Sequence, residues 1–332
     1  MKRLGIAFSW RENDLQNILT CARFADQAGV ESVWIPEAWG RDALLALGAI
    51  ARDTSHVKLG TGIVNVYSRS PATLAMGAAT LDELSNGRAI LGVGSSGPGV
   101  VERWHGIPYK RPLTRVRETV KIARLALSGA STDFQGSFFH VGGFKLATGP
   151  KHAVPIYIAA LGPKMLRLAG EIADGVLLYL CSLQAIPNTI KQIENGANEA
   201  GRSLEKFDVA ALLPTVVSEN CREAQAAIAR AIAYYVGGMG MYYRRIISES
   251  GFASEASKIN EAWQRGDRNG ATKEVSERLI NSVALAGSPE ECRRRLEDFR
   301  QSGVALPIAS LSVQDSRATA DSCETIKTLM AD

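Results

Sequence analysis

The sequence predicts an eight-stranded α/β barrel, a (β/α)8 or TIM barrel, on three observations. Short apolar segments typical of buried strands alternate with longer amphipathic segments typical of helices, which favours a parallel sheet covered by helices. Eight such strands can be counted, the number that a closed barrel requires. The chain has 332 residues, 46% of them hydrophobic and 22% charged, which suits one large barrel domain over residues 1–332.

The predicted strands share a short apolar core with glycine or polar residues at its ends. They lie at residues 4–8, 32–35, 57–61, 89–93, 156–159, 175–178, 208–217 and 307–312. Amphipathic helices are predicted between them, for example at 15–28, 42–52, 113–127, 165–172 and 186–200. Ser288-Pro-Glu-Glu291 is a capping box with proline at the first helical position, so another helix begins there.

Two segments do not fit a minimal barrel and are predicted to be insertions. Residues 133–146 alternate and carry turn glycines, which predicts a β-hairpin that covers part of the barrel mouth. Residues from about 234 to 272 are too long for an ordinary connection between a strand and a helix. They contain the run Tyr-Tyr-Val-Gly-Gly-Met-Gly-Met-Tyr-Tyr and a polar helical segment.

Composition argues against several classes of partner and site. A net charge of +4 without a dense run of Lys or Arg argues against nucleic acid. No segment approaches the ~20 apolar residues of a membrane span, and the first residues lack the apolar run of a signal peptide, so a cytoplasmic protein without membrane contact is expected. The five scattered cysteines are expected to be reduced. His56, His105, His140 and His152 lack short ligand spacing, so no metal site is predicted.

The segment from residue 58 to 97 carries the strongest functional signal. Glycines mark two strand ends, in Leu59-Gly-Thr-Gly62-Ile-Val-Asn65 and in Ile90-Leu-Gly-Val-Gly94-Ser-Ser-Gly97. Between them, Ser70-Pro71 begins a helix and Asn86-Gly87 ends it. This pattern predicts a βαβ crossover, which places both glycine-rich ends at one edge of a parallel sheet.

This ordered set of motifs resembles the luciferase-like flavin and deazaflavin oxidoreductases. Within them it is most similar to the coenzyme F420-dependent branch and its 5,10-methylenetetrahydromethanopterin reductases. The matching residues are Leu59-Gly-Thr-Gly-Ile63, Asn65, Tyr67, Arg69-Ser-Pro71, the run from Ala79 to Arg88, and Leu91-Gly-Val-Gly94. Weaker matches at Ile158-Ala-Ala-Leu-Gly-Pro163 and from Ala169 to Gly175 show that the resemblance covers most of the first half and then thins.

The resemblance implies coenzyme F420 as the cofactor, with FMN as the alternative, a small-molecule substrate and a homodimer. In such a barrel the chemistry lies at the carboxyl ends of the strands. The residues predicted to bind the cofactor are Gly62, Ile63, Asn65, Gly94, Ser95, Ser96, Ala160, Leu161 and Gly162, and those predicted to bind substrate are Ser9, Trp39 and Tyr179. The insertion from 234 to 272 would border the substrate pocket, although its aromatic residues are equally suited to packing on the neighbouring helix.

Ala160-Leu161-Gly162-Pro163 precedes a helix with Lys164 in its first turn, where unpaired backbone N–H groups form an anion site. A tight turn with an incidental lysine is the alternative, and the resemblance favours a cofactor phosphate. His105 follows the Gly94 loop, and both loop packing and a catalytic role stay open for it.

Glu37 is the predicted catalytic residue, and it stands where the sequence departs from the family pattern. Several deazaflavin enzymes end the second strand in Asp-His, whereas this chain has Glu37-Ala38. The reductases also tend to carry a glutamate on the first strand, where this chain has Ala7. Desolvation beside Trp39 would favour the acid form of Glu37, for proton transfer or substrate orientation. An ion pair between Glu37 and a nearby arginine is the alternative.

The resemblance also implies the chemistry. The deazaflavin would exchange a hydride with the substrate while the protein positions both and excludes water. The Gly62–Ile63 segment would back the ring, with a cis peptide bond between the two residues. Two other functions remain open, an FMN-dependent luciferase-like monooxygenase and a non-catalytic F420-binding protein.

Overall fold

The computed structural model describes residues 2–12 and 14–331, and its strands close into a parallel barrel. The strands are β1 (Gly5–Phe8), β2 (Ser32–Ile35), β3 (Lys58–Thr61), β4 (Val64–Asn65), β5 (Ala89–Gly94), β6 (Thr132–Gln135), β7 (His140–Phe144), β8 (Ile156–Ala159), β9 (Gly175–Tyr179), β10 (Asp208–Val217), β11 (Leu285–Gly287) and β12 (Leu306–Leu311). The barrel order is β1, β2, β3, β5, β8, β9, β10, β12 and back to β1. Short strands β4 and β11 pair with the ends of β5 and β10.

Helices surround this barrel. They are α1 (Leu15–Gln27), α2 (Ala43–Asp53), α3 (Pro71–Ser85), α4 (Pro98–Arg103), α5 (Pro112–Leu127), α6 (Pro163–Ile172), α7 (Ile186–Glu199), α8 (Cys221–Gly238), α9 (Met241–Ile247), α10 (Ala253–Gln264), α11 (Arg268–Lys273), α12 (Glu277–Val283), α13 (Pro289–Gln301) and α14 (Ser316–Met330). Within the described ranges, no helix combines the length and the hydropathy that crossing a membrane requires.

The predicted fold is confirmed, and the eight barrel strands lie within one residue of their predicted bounds. The helix signals between β3 and β5 are also confirmed. Ser70 Oγ accepts the Thr73 N–H at 3.1 Å, and Asn86 ends α3 in the left-handed region at φ 54°. The predicted capping box of α13 is present, because Ser288 and Glu291 exchange both side-chain to backbone hydrogen bonds. Local sequence signals thus set both ends of the crossover that carries the functional motifs.

Trp34 fills the centre of the barrel. It is fully buried, and its Nε1 donates to Ser32 Oγ at 2.9 Å. A Cβ atom at Gly60 would lie 2.3 Å from the indole, so only glycine fits beside it. Above Trp34, toward the carboxyl ends of the strands, three partly buried side chains close the interior: Ile63, Ala159 and Leu212. The mouth of the barrel therefore has an apolar floor.

The first insertion is the predicted hairpin, formed by antiparallel strands β6 and β7. Its tip is held by α5, because Glu118 accepts the backbone N–H groups of Ser137 at 2.7 Å and Phe138 at 2.9 Å. Arg115, one turn earlier in α5, lies over the ring of Phe138 at 4.7 Å. These contacts hold the tip of the hairpin against α5, and its covering of part of the mouth stays a prediction.

The second insertion is a helical excursion, α8 to α12, that leaves the barrel after β10 and returns at β11. It has its own apolar core, built around Ile232, Val236, Ile247 and Ile259. Gly240 precedes α9 at φ +97°, and Gly251 follows α9 at φ +91°, so glycines permit the sharp bends on both sides of this short helix. The excursion therefore packs as a unit, and α8 and α9 carry the side chains that reach the barrel mouth.

Candidate active site

The floor of the mouth has a glycine, Gly94, where the ring site was predicted. A Cβ atom at Gly94 would lie 3.1 Å from Ala159 Cβ and 3.2 Å from Ile63 Cδ1. Glycine at this position therefore leaves no side chain protruding between Ala159 and Ile63. The peptide bond between Gly62 and Ile63 is cis. Both residues are anchored to β2 and the residues after it, because Gly62 N donates to Ile35 O at 2.8 Å and Glu37 N donates to Ile63 O at 3.2 Å. The predicted backing segment is therefore a fixed part of the floor.

Glu37 forms an ion pair with Arg69. The guanidinium donates to both carboxylate oxygens, one of them at 2.9 Å, and Ala43 N donates to Oε2 at 3.0 Å. Only 11% of the Glu37 side chain and 15% of the Arg69 side chain are exposed. Both carboxylate oxygens of Glu37 therefore have donors within the protein, which is the ion pair with a nearby arginine that stood as the alternative. These contacts fix the direction of the side chain, so of the two roles predicted for Glu37 they favour orientation.

Asn65 is predicted to contact the cofactor, but its amide is used within the protein. The residue is 1% exposed, and its Oδ1 accepts the backbone N–H groups of Tyr67 and Ser68, each at 2.8 Å. Its Nδ2 lies 3.1 Å from Nε2 of His105. Asn65 therefore shapes the loop after β4 and brings His105 to the rim.

Ser95 and Ser96 follow β5 at the mouth, as predicted. Ser96 has a left-handed backbone, φ 54°, which turns the chain sharply after the strand. Tyr109 OH donates to Ser95 Oγ at 3.1 Å and lies 3.3 Å from Ser96 O. Burial raises the pKa of Tyr109 well above its usual range, so the phenol stays a donor at neutral pH. The Ser95 hydroxyl is thereby held at the rim.

The predicted phosphate site lies at the start of α6. Gly162 is the N-cap residue without a side-chain hydrogen bond, and Pro163 occupies the first turn. The end of the helix is therefore open to an anion. A Cβ atom at Gly162 would lie 2.7 Å from Arg245 Nη2, so an arginine of α9 reaches this helix end. Sequence reasoning missed Arg245, because no local pattern connects residue 245 with residue 162.

Aromatic side chains line the predicted substrate side of the mouth. Tyr179 packs edge-on against Tyr235 and Tyr243, with ring centroids 4.8 Å and 5.9 Å apart. The Trp10 and Trp39 rings lie 4.1 Å apart, and Tyr235 contacts Trp10. The aromatic run in the second insertion was therefore a usable signal, since it supplies part of this lining as well as packing within the excursion.

Ser9, the remaining predicted substrate contact, lies in the turn after β1. Its Oγ accepts the backbone N–H of Arg11 at 3.2 Å. The guanidinium of Arg11 is stacked between two rings, 4.6 Å from the centroid of Trp10 and 4.2 Å from that of Tyr234. Ser9 thus helps to place the arginine that connects the β1 turn to the excursion. Among residues 2–12 and 14–331, no three His, Cys, Asp or Glu side chains are grouped closely enough to hold a metal ion.

A closed α/β barrel with an apolar floor, an open helix N-terminus and an aromatic rim is the architecture of barrel enzymes, whose chemistry lies at the carboxyl ends of the strands. The family model for luciferase-like monooxygenases matches residues 3–306. The chain belongs to the luciferase-like family.

Curated relatives and a solved structure cover nearly the whole chain. The 5,10-methylenetetrahydromethanopterin reductase of Archaeoglobus fulgidus is 32% identical over 290 residues, which are 86% of this chain and 87% of that protein. A putative coenzyme F420-dependent oxidoreductase of Mycobacterium tuberculosis is 30% identical over 354 aligned positions, covering 99% and 98% of the two chains. The coenzyme F420-dependent tetrahydromethanopterin reductase of Methanopyrus kandleri superimposes with a TM-score of 0.84 at 27% identity, covering 99% and 97%.

Proposed function

We propose that the protein is a coenzyme F420-dependent oxidoreductase that transfers a hydride between the deazaflavin and a small organic substrate. The observation that carries this proposal is the combination of an apolar floor, at Ile63, Gly94 and Ala159, with an uncapped helix N-terminus at Gly162 that Arg245 reaches. A planar ring fits the first and a phosphate fits the second. When bound, the deazaflavin supplies or accepts the hydride at a ring carbon.

The protein's own contribution is positioning and exclusion of water. The Gly62–Ile63 segment would support one face of the ring. The Ser95 hydroxyl, which accepts from Tyr109, would offer hydrogen bonds to the polar chain of the cofactor, and Arg245 would neutralise the phosphate. The ion pair between Glu37 and Arg69 carries a fixed dipole at the rim that orients the substrate.

Methylenetetrahydromethanopterin is the substrate that we propose first. The support comes from the names of the relatives in Archaeoglobus fulgidus and Methanopyrus kandleri, together with the aromatic rim. Trp10, Trp39, Tyr179 and Tyr235 present faces and edges that suit the bicyclic ring of a pterin. A smaller carbonyl compound is the alternative, and it would leave much of this aromatic surface uncovered.

Calorimetric titration with F420, FMN and the nicotinamide coenzymes tests the cofactor. We expect tight binding of F420 and weak binding of the other two. Tight binding of FMN without F420 would support the monooxygenase instead. A protein that binds F420 but oxidises or reduces neither pterins nor carbonyl compounds, followed at the deazaflavin absorbance, would support a non-catalytic F420-binding protein.

We further propose that the protein is a homodimer, joined through the outer face of α2 and α3. The proposal rests on three exposed apolar side chains of these two neighbouring helices, Leu45, Met76 and Leu84, which are 77%, 57% and 44% exposed. A Cβ atom at Gly48 would lie 3.7 Å from Leu84 Cδ1, so α2 and α3 pack against each other and present these side chains together. Leu45→Glu should yield a monomer in analytical ultracentrifugation. Phe144→Glu, on the hairpin and also 77% exposed, is the matched control and should leave the dimer intact. A monomeric wild-type protein would contradict the proposal.

A further inference from the structure

Asn65 and His105 form a hydrogen-bonded pair at the mouth of the barrel. Asn65 is paired with Gly94 across β4 and β5, and Gly94 faces the floor. Ile63 also packs into the barrel interior, whereas Val64 and Val66 pack in the layer between barrel and helices. Because side chains alternate along extended chain, Asn65 lies on the same face as Ile63. The pair therefore borders the predicted ring site.

The hydrogen bonds of Asn65 determine the orientation of its amide. Oδ1 accepts two backbone N–H groups at 2.8 Å, so the atom that faces His105 has to be the Nδ2 donor. Nδ2 lies 3.1 Å from Nε2 of His105, and Nε2 must therefore be the acceptor. A neutral imidazole that accepts at Nε2 carries its proton on Nδ1. The protein thus presets one tautomer of His105 before any ligand binds.

The backbone around His105 is also fixed. His105 N donates to Val100 O at 3.2 Å, which continues the turn of α4 beyond its last residue. The side chain is half-buried, in contrast to the neighbouring Trp104, which is 63% exposed. The imidazole accordingly has its Nε2 bound to a buried amide, and its Nδ1–H is the remaining donor of the ring.

We propose that His105 donates a hydrogen bond from Nδ1 to the heterocycle that binds in the mouth, and that Asn65 is the positioning residue that holds the donor. The acceptor is a carbonyl oxygen or an unprotonated ring nitrogen, which the pyrimidine half of a deazaflavin carries. A donor oriented in advance stabilises negative charge on that edge of the ring without reorganisation. The inference rests on the proposed function, and it gives this chain a histidine at the site although position 38 is alanine.

The tautomer is tested first, in the protein without ligand. The chain has four histidines, so 15N-histidine NMR spectra are simple, and His105→Asn identifies the signal of interest. We expect the proton of His105 on Nδ1. Asn65→Asp keeps the acceptor for Tyr67 N and Ser68 N but places a carboxylate oxygen opposite Nε2, so Nε2 should become protonated. A proton on Nε2 in the wild-type protein would overturn the inference.

Ligand binding is tested next, by calorimetric titration of F420. His105→Leu should weaken binding about tenfold, the effect of one lost hydrogen bond. His105→Asn, whose amide replaces the donor near the position of Nδ1, should bind within about threefold of wild type. His140→Leu, on the exposed hairpin, is the control and should bind normally. In the wild-type protein, F420 should also shift the Nδ1 signal of His105.

The outcomes separate this inference from the proposed function. If F420 binds, while His105→Leu binds equally well and the Nδ1 signal does not move, the hydrogen bond is refuted and the proposed cofactor stands. If FMN binds instead of F420, the proposed cofactor is refuted, and the same comparison made with FMN decides the role of His105. If neither binds, both are refuted.

Discussion

Arg245 gives the sharpest test of the phosphate site, because it comes from the excursion and not from the barrel. Its Nη2 lies 2.7 Å from the position of a Cβ atom at Gly162, over the open end of α6. Its other contact is an ion pair with Glu249 at 3.5 Å, in which the side chains are 48% and 63% exposed. Such an exposed pair contributes little to stability. Arg245→Ala should therefore leave the fold intact and remove one positive charge from the phosphate site.

The expected loss of affinity follows from this geometry. A hydrogen bond to a charged group contributes about 1.5–3 kcal/mol. Because the Arg245 side chain is 48% exposed, solvent and salt screen the interaction, and the lower limit applies. A loss of about 1.4 kcal/mol is a tenfold increase in Kd. Raising the salt concentration should shrink the difference between Arg245→Ala and wild type, since the interaction is electrostatic.

The assay is fluorescence titration with two ligands, F420 and the deazaflavin chromophore without its phosphate. Arg245→Ala should weaken F420 binding about tenfold and leave binding of the chromophore unchanged. Arg230→Ala removes the same charge from an exposed position on α8 and is the matched control. Equal losses for both ligands would show that Arg245 acts on the fold or on the ring. No loss for either ligand would remove Arg245 from the phosphate site.

Three further substitutions or reactions have defined outcomes. Gly60→Ala places a methyl group 2.3 Å from the indole of Trp34, so the free energy of unfolding measured with urea should fall by about 1–3 kcal/mol. Gly99→Ala, where a Cβ atom would have no neighbour within 4 Å, is the control and should leave this free energy nearly unchanged. Glu37→Gln should bind F420 normally and lower turnover about 10- to 100-fold, and unchanged turnover would exclude Glu37 from the reaction. A hydrogen bond from Cys21 lowers the pKa of Cys323. Cys323 should therefore be the first cysteine alkylated at pH 7, and its alkylation rate should reach a plateau at a lower pH than that of an ordinary thiol. Preferential alkylation of another cysteine would contradict this.

The barrel could be predicted because its information is local. A parallel strand covered on both faces reads as a short apolar run, and Ile156–Ala159 and Ser32–Ile35 were found at their observed bounds for that reason. The helix α3 was equally clear, because Ser70, Pro71 and Asn86 act on the turns in which they lie. In these elements, the residues that determine the structure are neighbours in the sequence.

The sequence predicted only those site residues that lie at or just after the end of a barrel strand. Glu37 and Arg69 were both recognised, but their ion pair depends on how the loops after β2 and β4 meet. The contact between Asn65 and His105 joins residues 40 positions apart, and Arg245 reaches α6 through the packing of a separate apolar core. The periodicity or spacing within one segment cannot indicate such a contact. The contact depends on how two distant segments are placed relative to each other in the folded chain.

The floor and the aromatic rim of the mouth therefore come from different parts of the chain. The floor and the Gly62–Ile63 segment belong to the barrel, whose packing around Trp34 tolerates little change. The aromatic rim is formed in part by the excursion, which packs on its own core. Its side chains Tyr235 and Tyr243 contact Tyr179 of the barrel and can be substituted without changing that core. Substitutions in the excursion can thus alter the rim without disturbing the floor. We expect changes at Tyr235 or Tyr243 to alter the preference among substrates while F420 affinity stays the same, which a panel of pterin and carbonyl substrates would measure directly.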